Sequence, residues 1–294
     1  MRRREAIEGY LYLLPWAVGF LAFVAGPTVV SLALSLTRYD ILTPPSFVGL
    51  DNYARAFGGD NLFWPSLGRT FYYAAVFVPV ATIAALGLAL FLNRPFVGRY
   101  ALRALVFVPH LVPIVAGTLI WAWIFHPRGL INYGLSLVWI KGPGWLGTVE
   151  WAIPALVVMG VWRAAGGNTM IIFLAGLQSV PRELYEAAEI DGAGRLRRFR
   201  HVTVPMLSPT IFFNLVLGMI AALKVFAPAF VATNGGPAYA TWFYALHLYQ
   251  NAFAFLQMGY AAALAWIFLI VVLALTALQF WMSRRWVHYE GEVR

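Results

Sequence analysis

Long apolar runs alternate with short polar stretches along this chain, and the runs set its architecture. A helix crossing the hydrocarbon core needs roughly 20 mostly apolar residues, because backbone polar groups there must be satisfied internally. Six runs meet that length: residues 10–36, 70–92, 104–125, 151–177, 210–231 and 258–281. None contains Asp or Glu, and the only Lys or Arg within them are Arg163 and Lys224. The pattern predicts an all-α polytopic membrane protein with six transmembrane helices, residues 1–294 forming a single transmembrane domain. Arg2, Arg3 and Arg4 precede the first run as they would in a signal peptide, but the run is longer than the roughly 7–15 apolar residues such a peptide carries. It is therefore read as a span.

Composition agrees. Of 294 residues, 61% are hydrophobic and 11% charged, against roughly 25% charged in a soluble domain. The net charge of +9 is dispersed between apolar runs rather than gathered on one polar face, so topology explains it better than nucleic acid does. With no cysteine there is no disulfide framework, thiolate metal site or cysteine nucleophile.

Lys and Arg accumulate on the cytoplasmic side of membrane proteins. With the N-terminus inside, the inner segments hold Arg2, Arg3, Arg4, Arg94, Arg99, Arg103, Arg182, Arg195, Arg197, Arg198, Arg200, Arg284, Arg285 and Arg294. The outer segments hold only Arg38, Arg55, Arg69, Arg128 and Lys141. Both termini are expected in the cytoplasm. Trp and Tyr near run ends, such as Tyr10, Tyr12, Trp16, Trp145, Trp151, Trp281 and Trp286, read as interfacial anchors, and none is assigned to ligand binding.

The longest inner stretch, residues 178–208, is polar but charge-segregated: Glu183, Glu186, Glu189 and Asp191 precede Arg195, Arg197, Arg198 and Arg200. Pro181 suits a first helical turn, so a short helix is expected over 181–190. Gly192 and Gly194 supply a break, a second helix is expected over 195–201, and Pro205 and Pro209 end the polar island before the next span. The result is a cytoplasmic helix–turn–helix.

Within it, Glu186, Ala187 and Ala188, three further residues, Gly192, nine more, and then Val202, Thr203, Val204 and Pro205 resemble the EAA loop of binding-protein-dependent ABC importers. The family pattern has Ile and Leu where Val202 and Val204 stand. Further along, VFAPAFVATNGGPAYAT and LYQNAFAFLQMGYAAALA resemble permeases for maltose, glycerol 3-phosphate and related carbohydrates, as do YLYLLPWAVGFLAFVAGPTVVSLALSLTRYD and FVGLDNYARAF near the start. Asn234, Gly235, Gly236 and Pro237 carry the later likeness, and their Gly-Gly-Pro order favours a tight turn at the outer surface.

The resemblance implies a type I ABC-importer permease fold in a bacterial cytoplasmic (inner) membrane, multi-pass among its lipids. Glu186, Ala187, Ala188, Asp191, Gly192, Ala193 and Pro205 would form the coupling element that seats on an ATPase. The turn at Asn234, Gly235, Gly236 and Pro237 would dock an extracytoplasmic solute-binding protein. A second homologous permease and an ATPase dimer would complete the assembly, which moves a carbohydrate by alternating access.

The motor is expected on another chain. The phosphate-cradling pattern GxxxxGK[ST] needs a lysine after glycine, and neither Lys141 nor Lys224, the only lysines, stands in it. No HExxH or GxSxG occurs either. No catalytic residue, metal site or cofactor is expected on this chain, ATP and Mg belonging to the partner ATPase.

For the substrate path Lys224 leads, because a cation amid a span costs roughly 2.5–3.5 kcal/mol on insertion scales and usually faces a cavity or a partner. A lysine there signals either an acidic group on the substrate or a local difference. Arg163, Asn168 and Asn214 are weaker candidates, since polar groups in spans commonly bond neighbouring helices. His110, between Pro109 and Pro113, is read as structural, at a place where a broken helix is expected. An ion-coupled secondary transporter would need intramembrane carboxylates, and a membrane-bound transferase would need clustered acids or histidines. The histidines at 110, 126, 201, 247 and 288 are scattered.

Overall fold

A computed structural model of the chain describes residues 2–287, with side chains described from Glu8 onward. The inward placement of Arg2, Arg3, Arg4 and Arg294, and His288, fall outside those side chains. In chain order the elements are α1 (Arg2–Phe20), α2 (Gly26–Ser35), β1 (Thr37–Arg38), β2 (Ser46–Phe47), α3 (Asp51–Ala54), α4 (Phe63–Leu92), α5 (Arg99–Leu111) and α6 (Ile114–Ile124). There follow α7 (Leu130–Leu137), α8 (Val149–Ala165), α9 (Asn168–Ser179), α10 (Arg182–Ile190), α11 (Arg195–Arg198), α12 (Val204–Met206), α13 (Ser208–Leu223), α14 (Ala227–Thr233), α15 (Tyr244–Tyr249) and α16 (Met258–Ser283).

The all-α expectation needs one small correction: β1 and β2 pair antiparallel, with Thr37 opposite Phe47 and Arg38 opposite Ser46. Pro44 and Pro45 precede β2, and a residue before proline is steered from helical into extended backbone.

Among the described residues three helical stretches are long and apolar enough to span a membrane: Glu8–Ser35, Phe63–Leu92 and Met258–Ser283. Three bent pairs bring the number to six if each is one span. The first of these bends falls where Pro109 and Pro113 led a broken helix to be expected; the other two carried no such expectation. In the third run α5 and α6 meet at 95°, because Val112 and Pro113 are both extended (ψ 128° and 135°). In the fourth, α8 and α9 meet at 46° across Gly166 and Gly167. In the fifth, Arg195–Met206 and Ser208–Leu223 meet at 65°, and the helix breaks again at Lys224 before α14.

The chain forms two compact units. One comprises residues 1–64 and 247–271. Its first span passes through a wide turn at Leu21–Ala25, and none of its most apolar window is buried within the chain, as suits a helix facing lipid. The end of α2 is tied down by polar contacts: Asn52 Nδ2 donates to the Ser35 and Thr37 carbonyls at 2.8 and 2.9 Å, and Ser35 Oγ lies 2.7 Å from Tyr53 Oη. Gly259 begins the last span against this corner, where an added Cβ would stand 2.0 Å from the Thr37 carbonyl oxygen.

The other unit comprises residues 65–246 and 272–294. Ala85, Ala89 and Leu92 of α4 recur on one helical face and pack with Met170, Phe173, Leu174 and Leu177 of α9 and with Leu207. Small residues on the α4 side allow the close helix approach that membrane interiors rely on. Two further crossings depend on glycine. A Cβ at Gly160 would come within 2.8 Å of both Phe77 and Tyr73 on α4. A Cβ at Gly166 would fall 2.0 Å from the Val106 carbonyl oxygen on α5.

Candidate functional site

The breaks in the fourth and fifth runs open onto one cavity of about 530 Å³ in the second unit, within the roughly 300–1,000 Å³ of small-molecule sites. Four apolar runs contribute to its wall: Tyr73 and Phe77 from α4, His110 and Trp121 from the third run, Trp162, Arg163 and Asn168 from the fourth, and Lys224 and Phe226 from the fifth. Of the sequence-derived path candidates, Lys224, Arg163 and Asn168 thus line the same space. Asn214 does not; it is buried, and its Nδ2 donates to the Thr210 carbonyl one turn back at 3.0 Å.

Lys224 lies at a helix end rather than amid an unbroken span. It caps α13 (φ −86°, ψ 18°), and Phe226 breaks the path (φ −140°, ψ −65°) before Pro228 at the first turn of α14, where a missing N–H is tolerated. Non-helical backbone at membrane depth persists only where protein buries it or a cavity receives it. Asn168 opens α9 after Gly167, and His110 packs so closely over that glycine that a Cβ would meet its Nδ1 at 2.5 Å.

The cavity is lined by aromatics that lie outside the residues read as interfacial anchors. Trp121 and Trp162 meet edge to face at 5.6 Å, and Tyr73 stacks on Phe77 at 5.3 Å. Trp162 lies well inside its apolar run beside Arg163, a position an interfacial belt does not explain. The partners converge only through packing.

The segment read as a coupling element is a helical knob in the same unit. Pro181 caps α10. Its far end closes through the Ala193 N–H to the Ala188 carbonyl (2.8 Å) and the Gly192 N–H to the Glu189 carbonyl (2.9 Å). Gly192 sits at φ +74°, a left-handed conformation that glycine takes without strain. Arg198 pairs with Glu189 across the turn, and Tyr185 Oη lies 3.0 Å from Thr203 Oγ1. Glu186, Ala187 and Asp191 are exposed, and Ala188 and Ala193 half-buried. Ile190 and Leu196 are 87% and 80% exposed at the tip, an apolar pair the polar pattern hid.

The second arm runs past the expected 195–201, through Pro205 to Met206. Pro205 occupies the first turn of α12, where proline costs no hydrogen bond, and α11 reaches α12 through a wide turn at Phe199–Thr203. The arm therefore continues to the bend at Leu207 and into α13.

At the Asn-Gly-Gly-Pro segment, Asn234 ends α14 in the left-handed region (φ 47°) and is exposed. Gly235 (φ +86°) is buried under Trp242, whose ring would meet a Cβ at 2.4 Å. Thr241 Oγ1 donates to the Gly236 carbonyl at 2.8 Å.

A polar cluster in the first unit had no local signal. The Asp60 carboxylate accepts from His247 Nε2 (2.9 Å), Tyr260 Oη (2.6 Å) and the Leu62 N–H (2.9 Å), while the Arg55 guanidinium lies 4.1 Å from the Tyr260 ring centre. Burial pushes the Asp60 carboxyl up, but these donors outweigh it and hold it below the usual range. Burial also pushes the His247 imidazole down, only partly opposed by Asp60.

The family model described as binding-protein-dependent transport system inner membrane component matches residues 78–288. Over 294 residues, 99% of this chain and 94% of the relative, the sequence is 40% identical to the probable ABC transporter permease protein YesP of Bacillus subtilis (strain 168). It is 37% identical over 278 residues to the trehalose/maltose transport system permease protein MalF of Thermococcus litoralis, covering 94% of this chain and 93% of that one. Among solved structures, a chain of the bacterial alginate ABC transporter in complex with alginate pentasaccharide-bound periplasmic protein superposes with a TM-score of 0.84 at 24% identity, covering 96% of each chain. That last likeness is one of fold.

Proposed function

Because this chain belongs to the family of binding-protein-dependent transport system inner membrane components, we propose that it is a permease subunit of an ATP-driven importer and forms half of the path for a carbohydrate. The observation that carries the reading is mechanical. The second arm of the knob, from Arg195 through α12, runs on into α13 with a single bend of 65°, and α13 ends at Lys224 on the cavity wall. A push on the knob is thereby delivered to the cavity through helix, which resists bending because its backbone bonds are internal.

In this reading the membrane is the bacterial cytoplasmic one, six helices cross it, and both termini and the knob face the cytoplasm. Glu186, Ala187, Ala188, Asp191, Gly192, Ala193 and Pro205 belong to the face that an ATPase subunit grips, with Ile190 and Leu196 as its apolar tip. ATP and Mg act on that partner, and this chain is not an enzyme. A second homologous permease closes the path. A solute-binding protein docks outside near Asn234, Gly235, Gly236 and Pro237. A carbohydrate cargo, whether a mono- or oligosaccharide, a polyol or a sugar phosphate, is supported by the cavity's aromatic faces, which suit the apolar faces of a sugar ring, with polar groups at their margins. It is supported too by the relatives' names, such as the trehalose/maltose permease protein. Among the described residues no Asp or Glu lines the cavity, which speaks against an ion-coupled carrier built on intramembrane carboxylates.

The test is two-fold. Labelling of single cysteines introduced between 178 and 208 is expected from the cytoplasmic side only. ATP-dependent saccharide uptake by the reconstituted importer is expected to fail in Glu186→Lys and Gly192→Pro while the chain still reaches the membrane. Labelling from outside, or full uptake by both variants, overturns the proposal.

A further inference from the structure

We infer that the cavity selects a saccharide carrying a negative charge, and that Arg163 and Lys224 are the residues that read it. The inference rests on the importer reading and names the substrate class of its path. Both cations line one cavity whose lining residues include no Asp or Glu. Among the described residues neither forms a salt bridge; Arg198, by contrast, pairs with Glu189. Arg163 Nε is buried without a hydrogen-bond partner, as is Nδ1 of His110 in the same wall.

A neutral sugar leaves this arrangement unexplained. Hydroxyl groups would meet two unneutralised cations, where mixed donors and acceptors such as Asn, Gln or a carboxylate would serve them better. An oxyanion answers it. Guanidinium presents its donors in a planar fork that matches a carboxylate, and ammonium acts as a compact point charge. Charges attract more strongly in a space walled by Tyr73, Phe77, Trp121 and Phe226 than in bulk water. The cations also stand where they can let go. Lys224 is exposed at a helix break and Arg163 only half-buried, so binding need not trap the cargo. A carboxylate and a sulfonate share the chemistry this site recognises, and the arms below separate them.

The experiment uses the complete importer in proteoliposomes with its own binding protein. ATP-dependent uptake is followed for a uronate oligosaccharide, its methyl ester, and a sulfonated sugar beside its uncharged parent. The ester differs from the acid in charge with little change of shape. The wild type is expected to import at least one anionic member ahead of its neutral counterpart; both anions imported identify recognition of charge, the uronate alone recognition of a planar carboxylate. Lys224→Gln and Arg163→Gln are each expected to cut anion uptake by roughly 10- to 100-fold, the scale of one charge-assisted hydrogen bond, while neutral uptake falls far less. Lys224→Arg and Arg163→Lys are expected to keep the preference, which separates lost charge from a misfolded chain. The same binding protein serves every variant, so a changed ratio belongs to this chain. A wild type that imports only neutral sugars, or a preference surviving both Gln substitutions, overturns the inference and leaves the importer standing. Absence of ATP-driven uptake for every saccharide overturns both.

Discussion

His247 Nε2 donates to the Asp60 carboxylate at 2.9 Å, joining residues 187 positions apart. With side chains 4% and 11% exposed, removing either partner would leave the other's polar atoms buried and unsatisfied. Tyr260 adds a second side-chain donor to the same carboxylate, so within the first unit Asp60 holds His247 and the start of α16 together. Asp60→Ala removes the acceptor these donors share and is expected to lower stability by about 1–3 kcal/mol. Thermal unfolding of the purified chain in detergent measures it.

The same pair sets a pH dependence. His247 has a folded-state value below its ordinary 6.5, so the folded protein binds fewer protons than the unfolded chain as pH falls through that value. Stability from keeping the ring neutral is present above it and lost below. Asp60 is likewise held below its ordinary 3.8, and its contribution is lost further down, in the acid range. Unfolding temperature is expected to fall between pH 7.5 and 5.5 in the wild type and to fall less in His247→Gln. Equal slopes in both would remove His247 from the account.

Gly166 permits α5 to cross the break between α8 and α9 with backbone nearly touching. Gly166→Ala puts a methyl carbon into the Val106 carbonyl, where backbone rather than a flexible side chain must yield. The expected loss is about 1–3 kcal/mol, seen as a lower unfolding temperature. Gly87→Ala is the control: a Cβ there meets nothing within 4 Å, and little change is expected.

Gly192→Pro forces φ from +74° toward about −65° and should misdirect the second arm of the knob without disturbing the buried core. Co-purification of the ATPase subunit is expected to fall about tenfold, roughly 1.4 kcal/mol of binding. Glu189→Gln removes a pair whose glutamate is 58% exposed and is expected to change stability by less than about 0.5 kcal/mol.

Gly235→Val combines a left-handed backbone with a collision against the buried Trp242 ring. The outer turn is expected to distort, so capture of the solute-binding protein on immobilised permease should drop, while ATPase co-purification stays near wild type. Loss of both would point to global misfolding instead.

Residue pattern alone determined the membrane character, the placement of the apolar runs, the polar island with its glycine break, and the family to which the chain belongs. Hydrophobic transfer is a local sum over a run, and Gly192 or Pro181 act on their own turn, so such features are written where they operate. The break in the third run was legible in Pro109 and Pro113, but only tertiary structure decided that the fourth run bends at Gly166 and that a bend at Leu207 precedes the fifth, that Lys224 ends a helix, and that Lys224 and Arg163 share a cavity while Asn214 faces its own helix. Run length reports the free energy of leaving water and carries no information on helix continuity. Convergence of Trp121 on Trp162, or of His247 on Asp60, depends on how distant segments pack, a relation that no window along the chain contains.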